Sequence, residues 1–338
     1  MMNQSTDHPV TDHKRAVSSI ACVDVLIAAR DRADTIERAV LSALAQDEVS
    51  TVIVVDDGSI DDTAACARGC DRGGKRVIVE RLPSSVGPAA ARNIAIGMST
   101  APWLAILDAD DFFCPGRIGA LLSQSSDGDF VADDLVHVRE NLIGQETPPF
   151  ICSAASIKPQ RLTFEQFVLG NVTRRGSHRK ELGYLKPLIR REFLDRNALL
   201  YDESLRLGED YVLYARALAA GARFLVVPMP GYVAVEREDS LSARHTRQDL
   251  EALRNSDRDL MADSHLTRSE REVLAKHYAD VDRRTQWLVF VEALQSRNYR
   301  QFVATLFGSP TLTLYLGERL FLEMPMQIKK CLRRLGRH

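Results

Sequence analysis

The feature that most constrains the fold is an alternation of apolar runs with helical patterns in the first third of the chain. Four runs have the length of a strand, at residues 23–28, 51–55, 76–81 and 103–107. Three segments between them have helical periodicity, at residues 35–46, 61–68 and 88–98. Strands that alternate with helices favour a parallel sheet flanked by helices. We therefore predict an α/β fold.

Polar residues and glycine follow each of these four runs. In open parallel sheets, ligands bind beyond the carboxyl ends of the strands. The segments at these ends are Arg30-Asp31, Asp56-Asp57-Gly58-Ser59, residues 84–87 and Asp108-Ala109-Asp110-Asp111. Four separate loops therefore place charge or glycine on one edge, where we expect the functional site.

The acidic run after the fourth strand indicates a metal site. Carboxylates cannot lie unpaired in the core that the preceding apolar run predicts. Asp108 and Asp110 are two residues apart, so they point to one side while the chain stays extended. Paired carboxylates suit Mg²⁺ or Mn²⁺ carrying a diphosphate. The alternative is a solvated acidic turn before Pro115, and the position at the ligand edge favours the metal.

The loops after the second and third strands each allow two interpretations. Ser59 could cap the next helix, or one of Asp56 and Asp57 could accept a hydrogen bond from a base or a ribose hydroxyl. The helix that follows Gly87 could simply pack its alanines on the sheet. Alternatively, the guanidinium of Arg92 could bind phosphate oxygens with two hydrogen bonds. The residues alone leave both pairs of interpretations open.

The pair Glu209-Asp210 opens a predicted helix. Acids in a first turn are stabilised by the helix dipole, by about 0.3–1 kcal/mol. The functional alternative is that one of these carboxylates is a general base.

Composition limits the class of protein. The chain has 338 residues and a net charge of −2, which argues against a wholly basic nucleic-acid-binding surface. Six cysteines without a CxxC pair predict neither a zinc site nor a disulfide framework. The polar start lacks the apolar core of a signal peptide, and no apolar run reaches the length of a membrane span. We expect a cytoplasmic protein.

The domain plan follows from where the alternation weakens. We predict a flexible tail at residues 1–21, an α/β domain at 22–241 and a helical region at 242–338. An edge strand is expected around residues 130–138. Residues 312–335 are rich in Leu, Met and Phe, and five basic residues crowd their end. This tail could lie on the inner face of the cell membrane as a peripheral anchor, or it could dock on the domain.

In their order along the chain, these motifs resemble family 2 glycosyltransferases of the GT-A fold, over about residues 23–242. The motifs are Val25-Leu26-Ile27-Ala28-Ala29-Arg30, Val54-Val55-Asp56-Asp57-Gly58-Ser59, Gly87-Pro88-Ala89-Ala90-Ala91-Arg92-Asn93, Asp108-Ala109-Asp110-Asp111 (a DXD motif) and Glu209-Asp210. Within the family, the chain is most similar to bacterial exopolysaccharide glycosyltransferases, including the succinoglycan-type glucosyltransferases. The implied fold is a mostly parallel sheet flanked by helices, with a C-terminal helical extension.

The resemblance implies a metal-dependent, inverting hexosyltransferase. It would move a sugar from a UDP-sugar to an acceptor, and the sugar would be glucose if the chain acts as the succinoglycan-type glucosyltransferases do. If the tail binds a membrane, the expected acceptor is a polyprenyl-linked saccharide. Asp210 would be the catalytic base, and Asp110, with Asp108, would bind Mg²⁺ or Mn²⁺. The residues implied for donor binding are Ala28, Arg30, Asp56, Asp57, Gly87, Arg92 and Asp108.

Two departures from the family pattern bear on this expectation. The first strand lacks the usual aromatic residue at its end, so Arg30 would have to stack on uracil instead. The Gln-x-x-Arg-Trp motif and membrane spans of processive synthases are missing, which predicts one transfer per encounter.

A nucleotidyltransferase is the rival enzyme. It would need a glycine-rich phosphate loop after the first strand, and the loop here has no glycine. A non-catalytic sugar-binding protein is the other rival.

Overall fold

The structure is a computed structural model that describes residues 22–143, 158–173, 182–236 and 245–320. The predicted N-terminal tail, the predicted boundary near residue 241 and the basic end of the C-terminal tail lie outside these ranges.

The first half of the described chain is a parallel α/β unit. Its strands are β1 (Val23–Ala29), β2 (Val49–Asp56), β3 (Val77–Arg81) and β4 (Trp103–Ile106). The helices between them are α1 (Ile36–Leu44), α2 (Thr63–Gly69) and α3 (Pro88–Met98). The strands lie in the order β3-β2-β1-β4, and all three pairings are parallel. The fold class predicted from the alternation is confirmed.

The structure does not show Ser59 as a helix cap, because Asp62 is the N-cap residue of α2. The hydroxyl of Ser59 instead accepts a hydrogen bond from the backbone N–H of Asp31 (2.9 Å). Ser59 therefore ties the loop after β2 to the loop after β1, a contact between segments that no local pattern could show.

The second half extends the same sheet with strands of both directions. Its elements are β5 (Phe112–Phe113), α4 (Arg117–Ser123), β6 (Phe130–Arg139), β7 (Gln160–Leu162), α5 (Phe164–Gly170), β8 (Leu188–Arg190), α6 (Arg191–Arg196), α7 (Glu209–Ala219) and β9 (Phe224–Glu236). The order continues β4-β8-β6-β9-β5, and β7 pairs with β9. Strand β8 is antiparallel to β4, which makes the sheet mixed beyond its parallel half.

The predicted edge position of residues 130–138 is wrong. Strand β6 lies inside the sheet, between β8 and β9. Phe130 and Val131 are paired with β8 on one side and with β9 on the other, and both residues are fully buried.

Helices α8 (Arg247–Met261), α9 (Arg268–Gln295) and α10 (Tyr299–Leu306) follow the sheet, and residues 310–320 are helical as well. Helices α8 and α9 begin at capping boxes, at Thr246 and Thr267. Leu250, Leu274 and Val281 belong to the same buried cluster as residues of the sheet. The C-terminal helices therefore share a core with the α/β unit. Among the described residues, no helix is both long and apolar enough to cross a bilayer.

A buried polar contact joins these helices to α7. The Tyr211 hydroxyl donates to Asp257 Oδ1 (3.2 Å), and Asp257 Oδ2 lies 2.7 Å from Nδ1 of His277. The rings of Tyr211 and His277 stack with centroids 4.3 Å apart. Because Tyr211 lies in the first turn of α7, α8 and α9 hold the start of that helix in place.

Replacing Gly58 with alanine should destabilise the fold. Gly58 has a φ of +68°, and a Cβ there would lie 2.8 Å from the backbone of Ser84 and Ser85. We expect a loss of about 1–3 kcal/mol, measured by urea or thermal unfolding. Gly97→Ala is the matched control, because Gly97 is helical with open space around it, and it should stabilise by up to about 1 kcal/mol. Equal stability of the two variants would contradict the constraint at Gly58.

Candidate active site

Five charged side chains meet where β4 ends and α3 and α7 begin, and we call them the charged cluster. They are Arg92, Asp108, Lys186, Glu209 and Asp210. Asp108 follows β4, Arg92 lies in the second turn of α3, and Glu209 and Asp210 open α7. Lys186 lies two residues before β8. The topology thus brings four distant segments to one edge of the sheet.

Arg92 joins the strand end to α7. Its Nη2 donates to Asp108 Oδ1 (2.7 Å) and its Nη1 to Glu209 Oε1 (2.6 Å). The guanidinium also lies over the ring of Tyr201, 5.5 Å from the centroid. Charge-assisted bonds on both sides of a planar group fix its orientation. In the structure, Arg92 therefore pairs with nearby acids.

Lys186 bridges two carboxylates of the cluster, Asp210 and the same Asp108 that Arg92 contacts. Its Nζ lies 2.8 Å from Asp108 Oδ2 and 2.7 Å from Asp210 Oδ2, and its side chain is only 6% exposed. Our sequence analysis did not identify this residue, because it belongs to no motif. The signal available was a lysine within the apolar run Leu185 to Ile189.

A pair of buried residues holds the backbone of Lys186. Arg117 Nη2 donates to the Lys186 carbonyl (2.5 Å) and to Asp133 Oδ1 (2.6 Å). Arg117 and Asp133 are both fully buried. Breaking such a pair would leave an uncompensated buried charge, so the pair stays formed. Its hydrogen bond to the carbonyl therefore fixes the backbone position of Lys186.

Opposite charges keep Asp108 and Lys186 ionised despite their burial. Burial alone would raise the pKa of Asp108, but Lys186 and Arg92 hold that pKa well below its usual range. Burial likewise opposes the charge of Lys186, yet Asp108 and Asp210 raise its pKa above the usual value. By contrast, burial together with the negative charges of Asp108 and Asp110 raises the pKa of Asp111 to about 8.

Three buried polar atoms in or beside the cluster have no hydrogen-bond partner among the described residues. They are Asp210 Oδ1 and the hydroxyl oxygens of Tyr201 and Tyr214. Burial, followed by the negative charge of Asp210, raises the pKa of both tyrosines well above the usual value, and a close approach of the Tyr201 hydroxyl to the Asp210 carboxylate, outside ordinary hydrogen-bond geometry, raises the pKa of Tyr201 further. Buried polar atoms are normally paired, so unpaired ones at this edge indicate a place where a ligand or solvent completes the bonding.

The two carboxylates of the DXD motif have different surroundings. Both oxygens of Asp108 accept from cations of the cluster. Asp110 is a quarter exposed, and its Oδ2 lies 3.3 Å from Nε of Arg32. The described residues contain no group of three or more His, Cys, Asp or Glu side chains placed to hold a metal. Mg²⁺ often binds through one or two carboxylates together with substrate phosphates, and Asp110 fits that kind of site.

Two predicted donor residues lie at the end of the second strand, and one of them, Asp57, makes hydrogen bonds to the loop before α3. Asp57 accepts from the Ser85 hydroxyl (2.7 Å) and from the backbone N–H groups of Val86 (2.6 Å) and Gly87 (3.0 Å). Asp56 Oδ1 accepts from the Ser59 N–H (3.0 Å). Asp57 therefore holds Gly87, whose φ is +97°, at the start of α3.

The remaining predicted donor residues lie at the end of β1. Ala28 is half-buried, and Arg30 is exposed with its Nε 3.7 Å from Asp31 Oδ2. They lie on the same edge of the sheet as the cluster, beside the loop after β2. Of the predicted site residues, the structure brings Arg92, Asp108 and Asp210 into one network.

The protein-family model described as "Glycosyl transferase family 2" matches residues 24–180. The succinoglycan biosynthesis protein ExoU of Rhizobium meliloti is 45% identical, over 87% of this chain and 86% of that protein. The succinoglycan biosynthesis protein ExoO of the same organism is 34% identical, over 89% of this chain and 86% of its own length.

Solved structures share the fold at low sequence identity. Staphylococcus aureus TarS in complex with UDP-GlcNAc has a TM-score of 0.60 at 16% identity, over 84% of this chain and 90% of that one. The mannosyltransferase PcManGT of Pyrobaculum calidifontis, in complex with GDP-Man and Mn²⁺, has a TM-score of 0.56 at 16% identity, over 90% and 81%. With the two relatives and the family model in agreement, the chain belongs to glycosyltransferase family 2.

Proposed function

We propose that this protein is an inverting, metal-dependent glycosyltransferase that moves one sugar, glucose by analogy, from a UDP-sugar to a lipid-linked oligosaccharide in exopolysaccharide synthesis. The similarity to two Rhizobium meliloti succinoglycan biosynthesis proteins supports the pathway. The observation that carries the proposal is the buried carboxylate of Asp210, which has one unpaired oxygen and is linked to Asp108 at the strand edge.

The reaction is a displacement at the anomeric carbon. The acceptor oxygen forms a bond to that carbon, and the bond from the carbon to the diphosphate oxygen breaks, so UDP leaves with the electron pair. The proton of the acceptor hydroxyl goes to Asp210 Oδ1, the oxygen without a partner. The positive charge that grows on the sugar ring is analogous to that in glycoside hydrolysis.

Asp110 is the residue that would hold the metal. Mg²⁺ or Mn²⁺ bound there would act as a Lewis acid for the diphosphate. Asp108 has both oxygens committed to Arg92 and Lys186, so it would join the metal only by exchanging one of these cations. We assign Asp110 as the principal ligand, while Asp108 and Arg92 face the donor.

The donor would lie along the loops after β1 and β2. Ala28, Arg30 and Asp56 border the place of the base and ribose, and Asp57 keeps Gly87 and the start of α3 in position. Arg30 is exposed and free to lie flat on an aromatic base, as arginine side chains do.

The acceptor side involves a membrane surface. On α10, Tyr299, Val303 and Phe307 are 65%, 51% and 70% exposed, and their spacing of four residues puts them on one face. Arg297 and Arg300 are exposed beside this stripe, and the chain ends with Lys329, Lys330, Arg333, Arg334 and Arg337. An exposed apolar stripe with basic residues fits an anionic membrane at the inner face of the cell. We place the protein there as a peripheral enzyme.

Asp210→Asn should lower turnover about 10²–10⁴-fold, because the amide cannot accept the acceptor's proton. UDP release and donor affinity are the measurements, and donor affinity should be largely kept. Asp259→Asn, an exposed change on α8, is the control and should keep full activity. Full turnover of Asp210→Asn would overturn the assignment of Asp210 as the base.

Asp110→Ala should abolish the metal-dependent part of donor binding. UDP-sugars are screened by thermal shift with and without Mn²⁺ or Mg²⁺, and the wild type should show metal-dependent stabilisation by one of them. Asp47→Ala, an exposed loop change, should respond like the wild type. No response of the wild type to any UDP-sugar would refute the proposed function, and a full response of Asp110→Ala would refute the metal ligand.

Replacing Tyr299, Val303 and Phe307 together with serine should reduce flotation with phosphatidylglycerol vesicles. Deletion of residues 321–338 should reduce flotation further, because the free energy of membrane binding weakens by about 1 kcal/mol for each basic residue lost. The deletion stops at residue 321 because Leu316 is buried with Trp287 and Phe290. Gln301→Ser with Ala304→Ser is the control on the same helix. Equal flotation of all forms would refute the membrane surface, and a concentration-dependent dimer would assign the stripe to a second copy instead.

A further inference from the structure

Lys186 is a buried cation that neither the sequence motifs nor the proposed reaction uses. Burying an ammonium group is costly unless it is paired, and this one is paired twice, with Asp108 and Asp210. These two carboxylates belong to different elements and have different proposed tasks, at the donor and at the acceptor. A single Nζ atom therefore connects the two halves of the proposed reaction.

The contacts of Asp210 are unequal at its two oxygens. Oδ2 is bonded to Lys186 at 2.7 Å, while Oδ1 is buried without a hydrogen-bond partner and lies 3.9 Å from Nη1 of Arg92. When a hydrogen bond occupies one oxygen of a carboxylate, only the other oxygen is available to accept a proton from a substrate. The bond to Lys186 thus selects which atom of Asp210 is left to accept a proton.

The charge balance of the cluster depends on the same residue. Asp108, Glu209 and Asp210 are three carboxylates that share Arg92 and Lys186 as cations. Without Lys186, one arginine would serve three carboxylates, and it already donates to Asp108 and Glu209. Asp210 is the member that would lose its hydrogen-bonded cation, because its contact with Arg92 is 3.9 Å long.

We infer that Lys186 is a positioning residue for catalysis: it fixes Asp210 so that Oδ1 faces the acceptor, and it ties this base to Asp108 on the donor side. The inference rests on the proposed function, in which Asp210 is the base. Arg117 and Asp133 complete the arrangement by holding the backbone of Lys186.

The test is a double-mutant cycle on kcat with Lys186→Met and Asp210→Asn. Methionine keeps the length of the lysine stem and removes the charge. Variants of Arg117 are unsuitable, because losing one member of a fully buried pair would unfold the protein. Lys276→Met, on an exposed position of α9, is the control and should keep the kcat of the wild type. Thermal unfolding of each variant corrects the kcat for the folded fraction.

Lys186→Met should lower kcat roughly tenfold or more in the wild-type background, and by less than about twofold in the Asp210→Asn background. Such non-additivity shows that Lys186 acts through Asp210. Losses that multiply, or a rise in donor KM with kcat unchanged, would overturn the inference. If Lys186→Met does not fold, Lys186→Gln replaces it in the same cycle, because it keeps a donor without the charge.

The wild-type measurement separates the two proposals. If the wild type releases no UDP from any UDP-sugar, the proposed function fails and the inference fails with it. If the wild type is active and the losses multiply, only the inference about Lys186 is overturned.

Discussion

The neutralisation of acidic side chains at one edge of the sheet is the interaction on which this site depends. Asp108, Glu209 and Asp210 approach one another at the end of β4, where like charges repel and burial removes water. Arg92 and Lys186 offset that cost with hydrogen bonds of 2.6–2.8 Å. The two cations hold the pKa of the buried Asp108 carboxyl well below its usual range, so a charged carboxylate remains at the edge where we propose that the donor binds.

The C-terminal helices contribute to this arrangement although they carry none of its charges. Tyr211 lies next to Asp210 and is held by Asp257 of α8 and by the ring of His277 of α9. Leu253 of α8 lies within 3–4 Å of the place where a Cβ of Gly208 would be. Because the start of α7 is fixed from this side and by Lys186 from the other, the position of Asp210 depends on both parts of the chain.

Much of the fold was predictable because its signals are local. The apolar runs and helical periodicity of residues 23–107 gave the four parallel strands, and Pro88 gave the start of α3. The motif Glu209-Asp210 opens α7 as predicted, so the dipole interpretation of these acids holds beside the proposed catalytic one. The place of β6 was mispredicted because it depends on strands that are distant in sequence.

The candidate site could be predicted only in part for the same reason. Asp108, Arg92 and Asp210 stand out as motifs, and they meet in the structure. Asp57 stands out too, but its carboxylate binds the loop before α3, a contact that depends on Ser85, Val86 and Gly87. Lys186 has no local signature, since an isolated lysine in an apolar run says nothing about which acids it will meet.

The sequence by itself determined the α/β architecture, the edge at which the polar residues gather and the resemblance to a glycosyltransferase family, because strand and helix periodicity and motif order are written along the chain. The tertiary structure alone decided that Lys186 links Asp108 to Asp210 and that Oδ1 of Asp210 is left without a hydrogen bond. The reason is physical: an ion pair forms between side chains that the fold brings within 3 Å of each other, and sheet order and helix docking set that distance.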